Sequence, residues 1–113
     1  MSATSSSRAR ALYCMPRLQN PTSAVMSERR RRQIASLADK YALTVIEDDV
    51  YGYLAPDVRP LSALLPEGQF FYITSTSKSI VPGMRIGYLL APASAIERVS
   101  ASVLRTIVNA PPA

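Results

Sequence analysis

Histidine is missing from the 113 residues altogether, and cysteine occurs once. Without an imidazole, His-based catalytic triads and most zinc sites are removed from consideration, so no metal site is expected. The lone Cys14 excludes an internal disulfide and suits a reducing, hence cytoplasmic, setting. It stands in an apolar run and is expected to be a small buried side chain rather than a reactive thiol. Long apolar runs are lacking too. None approaches the roughly 20 residues of a membrane span, so no membrane association is expected. The first segment, Met1 to Arg10, has no acid and no apolar stretch of the kind that directs secretion. Its Ser, Ala and Arg content suggests a disordered end.

What remains is enough for one small domain with a core, since hydrophobic residues make up 48% of the chain. The net charge is +5, but Arg29, Arg30, Arg31 and Arg32 supply four of those charges in one run. Away from that run the balance is near neutral, which makes the basic pI a local feature and a weak argument for nucleic acid. The run is expected to be a solvated face at a helix start, although cations there oppose the helix dipole.

Along the chain, Ala11 to Met15 forms a short apolar run that ends at Pro16 and suggests a buried strand. Arg17 to Ser23 is a loop with an Asn20-Pro21 turn step. Ser27 can cap a helix reaching about Tyr41, with Ile34, Leu37, Ala38 and Tyr41 spaced as its core face. Leu43 to Ile46 suggests a second strand, followed by the acidic trio Glu47-Asp48-Asp49 and a proline-rich loop from Tyr51 to Gly68. Phe70 to Thr74 and Arg85 to Leu90 are two further strands, separated by the Pro82-Gly83 turn. Ser94-Ala95-Ile96-Glu97 has the form of a capping box for a helix to about Asn109. Its apolar side would hold Ile96, Val99, Val103, Leu104 and Ile107. Strands separated by helix and loop indicate an α/β fold with a partial, open, mostly parallel sheet flanked by helices. Ligands in such sheets bind beyond the carboxyl ends of the strands, where Asn20, Asp48 and Lys78 would converge.

The chemistry centres on Lys78 in Ser75-Thr76-Ser77-Lys78. Framed by hydroxyls at the end of an apolar strand, it is placed to act as an amine nucleophile toward a carbonyl. Arg85, seven positions later, offers a fixed fork for a phosphate. Pyridoxal phosphate, an aldehyde that carries a phosphate, needs that pair. Asp48 and Tyr51 lie three positions apart. A carboxylate facing a pyridine nitrogen keeps it protonated, and a phenol or an amide such as that of Asn20 can hydrogen-bond the ring oxygen. Asp49 is expected to be solvated, and Tyr53 to be a packing residue.

These elements, Asn20-Pro21-Thr22, Asp48-Asp49-Val50-Tyr51, Ser75-Thr76-Ser77-Lys78 and Arg85, resemble in order and spacing the class I/II aminotransferase family. Those are fold type I pyridoxal-phosphate enzymes. The resemblance implies Lys78 as the Schiff-base lysine and Asp48 as partner of the pyridine nitrogen. It implies Tyr51 and Asn20 on the 3-hydroxyl, Ser75, Ser77 and Arg85 on the phosphate, and a cis Asn20-Pro21 peptide. It further implies transfer of an amino group between an amino acid and a 2-oxo acid, by a homodimer. The wording of Leu12 to Thr22 and Glu47 to Gly52 is similar to the aminotransferase-like domain of MocR/GntR-type regulators. There the domain would sense an effector, and DNA would be a partner only through an upstream winged helix.

One departure is Ser23, where the family usually has glycine, which matters if that position needs a positive φ. The resemblance also makes residues 11–113 the cofactor-bearing segment of a large domain. The glycine-rich phosphate loop, the ring-stacking aromatic and the substrate-binding small domain are not in it. A fragment, inactive alone, is the expectation, and a truncated remnant is a third reading beside enzyme and regulator.

Overall fold

A computed structural model of the chain describes residues 8–76, 79–80 and 83–106. Four strands, β1 (Ala11–Cys14), β2 (Thr44–Asp48), β3 (Phe70–Ser75) and β4 (Gly87–Leu90), form one sheet in the order β1-β2-β3-β4. The β1–β2 and β2–β3 pairs are parallel and the β3–β4 pair is antiparallel, so the mostly parallel α/β expectation holds. Helix α1 (Glu28–Lys40) connects β1 to β2, and α2 (Ile96–Thr106) follows β4.

Helix α1 starts where the sequence predicts. Ser27 is extended and its Oγ accepts the Arg30 N–H at 3.2 Å, which satisfies one of the free donors of the first turn. Glu28 sits favourably at the positive end of the helix and pairs with Arg32 one turn on, an exposed contact that adds little. At the other end, Leu43 N–H bonds Ala38 O at 2.8 Å and Ala42 N–H bonds Asp39 O at 3.1 Å. That is a Schellman closure, with Ala42 at φ 51° in the position that glycine favours.

The buried face of α1 keeps Ala38 and Ile34 of the predicted one and departs from it elsewhere. Arg31, Ala35 and Ala38 are buried, while Leu37 and Tyr41 are 50% and 59% exposed. Small alanines let the helix approach β2 closely, so the core is Ala35, Ala38, Val45 and Leu61, with Ile34, Leu43, Leu64, Leu65, Phe70 and Cys14 packed around it. Arg31 is the exception to the solvated arginine run. Its guanidinium donates to the Met26 carbonyl, which fastens the chain entering the helix.

Strand limits shift for reasons visible in the pairing. Strand β2 runs on to Asp48 because β3 continues beside it, with Asp48 opposite Ile73. Strand β4 begins at Gly87 rather than Arg85, although Thr76 N–H still bonds Ile86 O at 3.0 Å. The proline-rich loop holds two short 3-10 turns, Gly52–Leu54 and Ser62–Leu64. Ser94 does not cap α2. It lies inside a 3-10 turn, Ala93–Ala95, that starts after Pro92 and leads into the helix. Ile107 and the rest of the predicted helix end lie outside the described residues. Ile96, Val103 and Leu104 are exposed, and so is all of β4.

Candidate functional site

Because β1, β2 and β3 run parallel, their carboxyl ends share one edge of the sheet. Alternation along β2 then decides what each acidic residue does. Val45 and Glu47 point to the side covered by α1 and are fully buried, whereas Thr44, Ile46 and Asp48 point to the opposite side. Asp48 therefore emerges at the strand end on the less covered face. Tyr13 shares that face through its pairing with Ile46, and its hydroxyl donates to Asp48 Oδ2 at 2.6 Å. That hydrogen bond is the main cause of the upward displacement of the Tyr13 phenol pKa.

Asn20 and Tyr51 meet. With Leu18, Gln19, Pro21, Ser23 and Leu54 they line a cleft of about 280 Å³. The Asn20-Pro21 peptide is cis, as the family resemblance implies, and Ser23 adopts φ 57°. The serine thus takes up the left-handed conformation itself, and its N–H bonds Gln19 O at 2.6 Å to close the loop. Gln19 further fixes the turn by accepting from the Thr22 hydroxyl at 2.6 Å.

Ser75 and Arg85 form a second grouping. Ser75 ends β3 opposite Gly87, and the bonds from Thr76 N–H and Oγ1 to Ile86 O bring the Arg85 backbone alongside. Arg85 is exposed. Hydrogen bonds among these described residues do not join this pair to the Asn20–Tyr51 cleft. Lys78 and Ser77 lie outside the described residues, and so does Pro82 of the predicted turn.

Asp49 corrects the sequence reading. It is 1% exposed, not solvated. As the next residue after Asp48 it turns to the covered side, where Arg17 Nε donates to its Oδ1 at 2.9 Å and Nη2 pairs with its Oδ2. The Tyr72 hydroxyl also donates to Asp49 Oδ2. Burial, aided by that hydrogen bond, pushes the Tyr72 phenol up to about 12, so it remains a donor at neutral pH. The bond to Asp49 raises Arg17 against the opposing effect of its burial. Nothing in the sequence pattern singled out Arg17 or Tyr72; the available signal was a lone arginine directly after the strand-ending Pro16.

Glu47 is a second buried carboxylate that spacing did not reveal. Its two oxygens accept the N–H groups of Leu61 at 2.9 Å and Ser62 at 2.6 Å, at the start of the second 3-10 turn. A larger hollow of about 640 Å³ runs along Arg29, Arg30, Arg32, Gln33, Ser36 and Leu37 on α1, away from the strand ends and their convergent polar groups. No metal-binding cluster occurs among the described residues. Nor is any helix among them long and apolar enough to cross a membrane.

Comparison with known proteins places this geometry in a family. The aminotransferase class I and II profile matches residues 4–111, and the chain belongs to that family. It is 43% identical over 98 residues to the HTH-type transcriptional regulator YisV of Bacillus subtilis, covering 84% of this chain and 20% of that protein. It is 36% identical over 87 residues to aromatic-amino-acid aminotransferase 1 of Thermococcus litoralis, covering 74% of this chain and 21% of that one. Among solved structures, the kynurenine aminotransferase of Pyrococcus horikoshii, in complex with PMP, superposes with a TM-score of 0.79 at 33% identity. The match covers 89% of this chain and 26% of that one. The chain therefore spans about a fifth to a quarter of the length of such relatives, which include both aminotransferases and regulators.

Proposed function

We propose that this chain is the pyridoxal-phosphate-binding segment of an aminotransferase large domain, acting on an amino acid and a 2-oxo acid. The observation that carries the reading is that Asn20 and Tyr51 line one cleft, with Tyr51 on the turn that follows Asp48. The donor set fits the cofactor. Asp48 offers a carboxylate to a ring nitrogen, Asn20 and Tyr51 offer hydrogen bonds to a ring oxygen, and Ser75 and Arg85 offer a hydroxyl and a cation to a phosphate. Lys78 and Ser77 join this set from the sequence motif. A solved relative that holds PMP, the amine form of the same cofactor, supports the assignment.

Bound pyridoxal phosphate supplies an electron sink for negative charge at the Cα of an amino acid. The residues of the chain do the rest. Asp48, with one oxygen already held by Tyr13, keeps a proton on the ring nitrogen. Tyr51, on the turn that follows Asp48, and Asn20, on the loop after β1, would orient the ring. Arg85 and Ser75 anchor the phosphate tail. Lys78 would hold the cofactor through its amine and would move the Cα proton as general base and acid.

Borohydride reduction of the full polypeptide as its gene encodes it, followed by peptide mapping, is expected to place the pyridoxyl group on Lys78. A label elsewhere, or none, defeats the assignment. Asp48→Ala should lower transamination about a thousandfold, roughly 4 kcal/mol of barrier, while Lys78 can still be labelled. The relationship to YisV supports a second reading, a domain that binds the cofactor to sense an effector for a DNA-binding partner. Cofactor labelling at Lys78 without turnover of any amino acid would favour it. A homodimer is proposed for either case.

A further inference from the structure

The loop that carries Asn20 and the turn that carries Asp48 and Tyr51 are held together by groups with no assigned part in cofactor binding. Arg17 lies three residues before Asn20, and Asp49 lies between Asp48 and Tyr51. Tyr72 comes from β3, the strand that leads to Ser75. Arg17 makes a two-pronged pair with Asp49, which also accepts the Tyr72 hydroxyl. The remaining prong, Nη1, donates to Val58 O at 2.6 Å and Ala55 O at 3.3 Å, so the same guanidinium fixes the far side of the Tyr51 loop. Arg17 is 7% and Asp49 1% exposed.

Gly52 shows how tightly the chain wraps this cluster. A Cβ there would lie 2.2 Å and 2.4 Å from the Asp49 oxygens and 2.4 Å from Arg17 Nη2. Any side chain at residue 52 would displace the pair or the turn that bears Tyr51. A buried ion pair is a weak stabiliser, because apolar residues of similar volume often do as well or better in its place. Its distinguishing property is geometric: a planar fork can be satisfied in one arrangement of the groups around it.

We propose that Arg17, Asp49 and Tyr72 are positioning residues for the cofactor site. The brace they form holds the Asn20 loop against the Asp48–Tyr51 turn and so sets the affinity for pyridoxal phosphate. The inference rests on the cofactor reading above. It assigns the three residues no contact with the cofactor, only control of the residues that make it.

The test uses the full polypeptide as its gene encodes it and pyridoxal phosphate itself, with Kd measured by equilibrium dialysis and Tm by thermal unfolding. The paired variant Arg17→Met/Asp49→Leu removes both charges together, so no charge is left buried alone. Its Kd is expected to rise at least tenfold, with the pH midpoint of the bound cofactor's absorbance displaced, while Tm changes little. Arg17→Lys, which keeps charge but not the fork, should fall between the paired variant and wild type. Leu43→Ala, a core truncation at the amino-terminal end of β2 and away from the brace, should lower Tm and leave Kd unchanged. A folded paired variant with wild-type Kd and absorbance overturns the proposal. If that variant fails to fold, Tyr72→Phe decides: about a threefold rise in Kd supports the brace, and no rise overturns it. Failure of the unmodified protein to take up the cofactor removes the functional reading first, and is seen before any variant is made.

Discussion

Replacing Glu47 tests the least expected feature of this fold, a carboxylate in the middle of an apolar layer. Its side chain is 0% exposed and meets the backbone N–H groups of Leu61 and Ser62, one on each oxygen. Those donors open the second 3-10 turn, and Leu61 beside them is one of the four buried core residues. Glu47→Gln keeps one acceptor and turns an NH2 toward the other N–H, so one charge-assisted bond is exchanged for a donor–donor conflict. The loss should be about 2–3 kcal/mol, equivalent to roughly 30- to 150-fold in the folding equilibrium. Glu47→Ala strands both donors and opens a cavity, and should cost about 4–6 kcal/mol. Urea unfolding of the full polypeptide, with m held constant across variants, reads the global term. Amide hydrogen exchange reads the local one: Leu61 and Ser62 should be protected in wild type and exchange faster in Glu47→Gln than their neighbours do. A change below about 0.5 kcal/mol, or unprotected amides in wild type, would refute the reasoning that these bonds hold the loop to β2.

Burial pushes the Cys14 thiol up to about 11, against an ordinary value of 9.0, with the Glu47 charge adding to it. Alkylation by iodoacetamide at pH 8 should therefore run about 100-fold slower in the folded protein than in urea, since the thiolate is the reacting form. The folded value lies above the unfolded one, so the contribution of this thiol to stability is intact below pH 9 and is lost as the pH rises through about 11. Ala42→Gly, at φ 51° in the closing turn of α1, should stabilise by about 1 kcal/mol in urea titrations. Ser23→Gly, at φ 57°, should act in the same direction and by less, because Ser23 is an exposed loop residue.

Periodicity and motif spacing made the four strands and the start of α1 legible, while the expected convergence of Asn20, Asp48 and Lys78 includes a lysine outside the described residues. The strands and the helix start rest on local rules: a capping serine, β-branched runs, a proline turn. What escaped was decided by the tertiary surroundings. Leu37 and Tyr41 were expected inside with Ala38, but close packing of α1 on Val45 kept Ala38 and selected Ala35 in their place. Asp49 was expected in solvent because the spacing to Tyr51 selects Asp48 as the functional acid. The burial of Asp49 depends on Arg17, 32 residues away in the chain, and on Tyr72, 23 residues away. A capping box at Ser94 met a competing 3-10 turn begun by Pro92, and local signals alone do not rank those two.

The two adjacent aspartates show why sheet geometry, more than composition, organises this site. Strand alternation sends consecutive side chains to opposite faces, so Asp48 and Asp49 cannot share an environment. On the α1 side, the positions filled by Val45, Glu47 and Asp49 pass from apolar core to backbone capping to ion pairing as β2 approaches its carboxyl end. Those carboxylates are buried, are bonded through both oxygens within the protein, and hold the two loops that follow. On the other side Ile46 is followed by Asp48, whose single side-chain partner among the described residues is the 59%-exposed Tyr13. A parallel sheet is normally covered on both faces. Here the second face leaves Tyr13 open at the strand ends, and α2 stands off from Phe71 across a cavity of about 390 Å³. The acid that stays partly exposed is thus the one on the open face. That placement supports Asp48, rather than its neighbour, as the group proposed to meet a ligand.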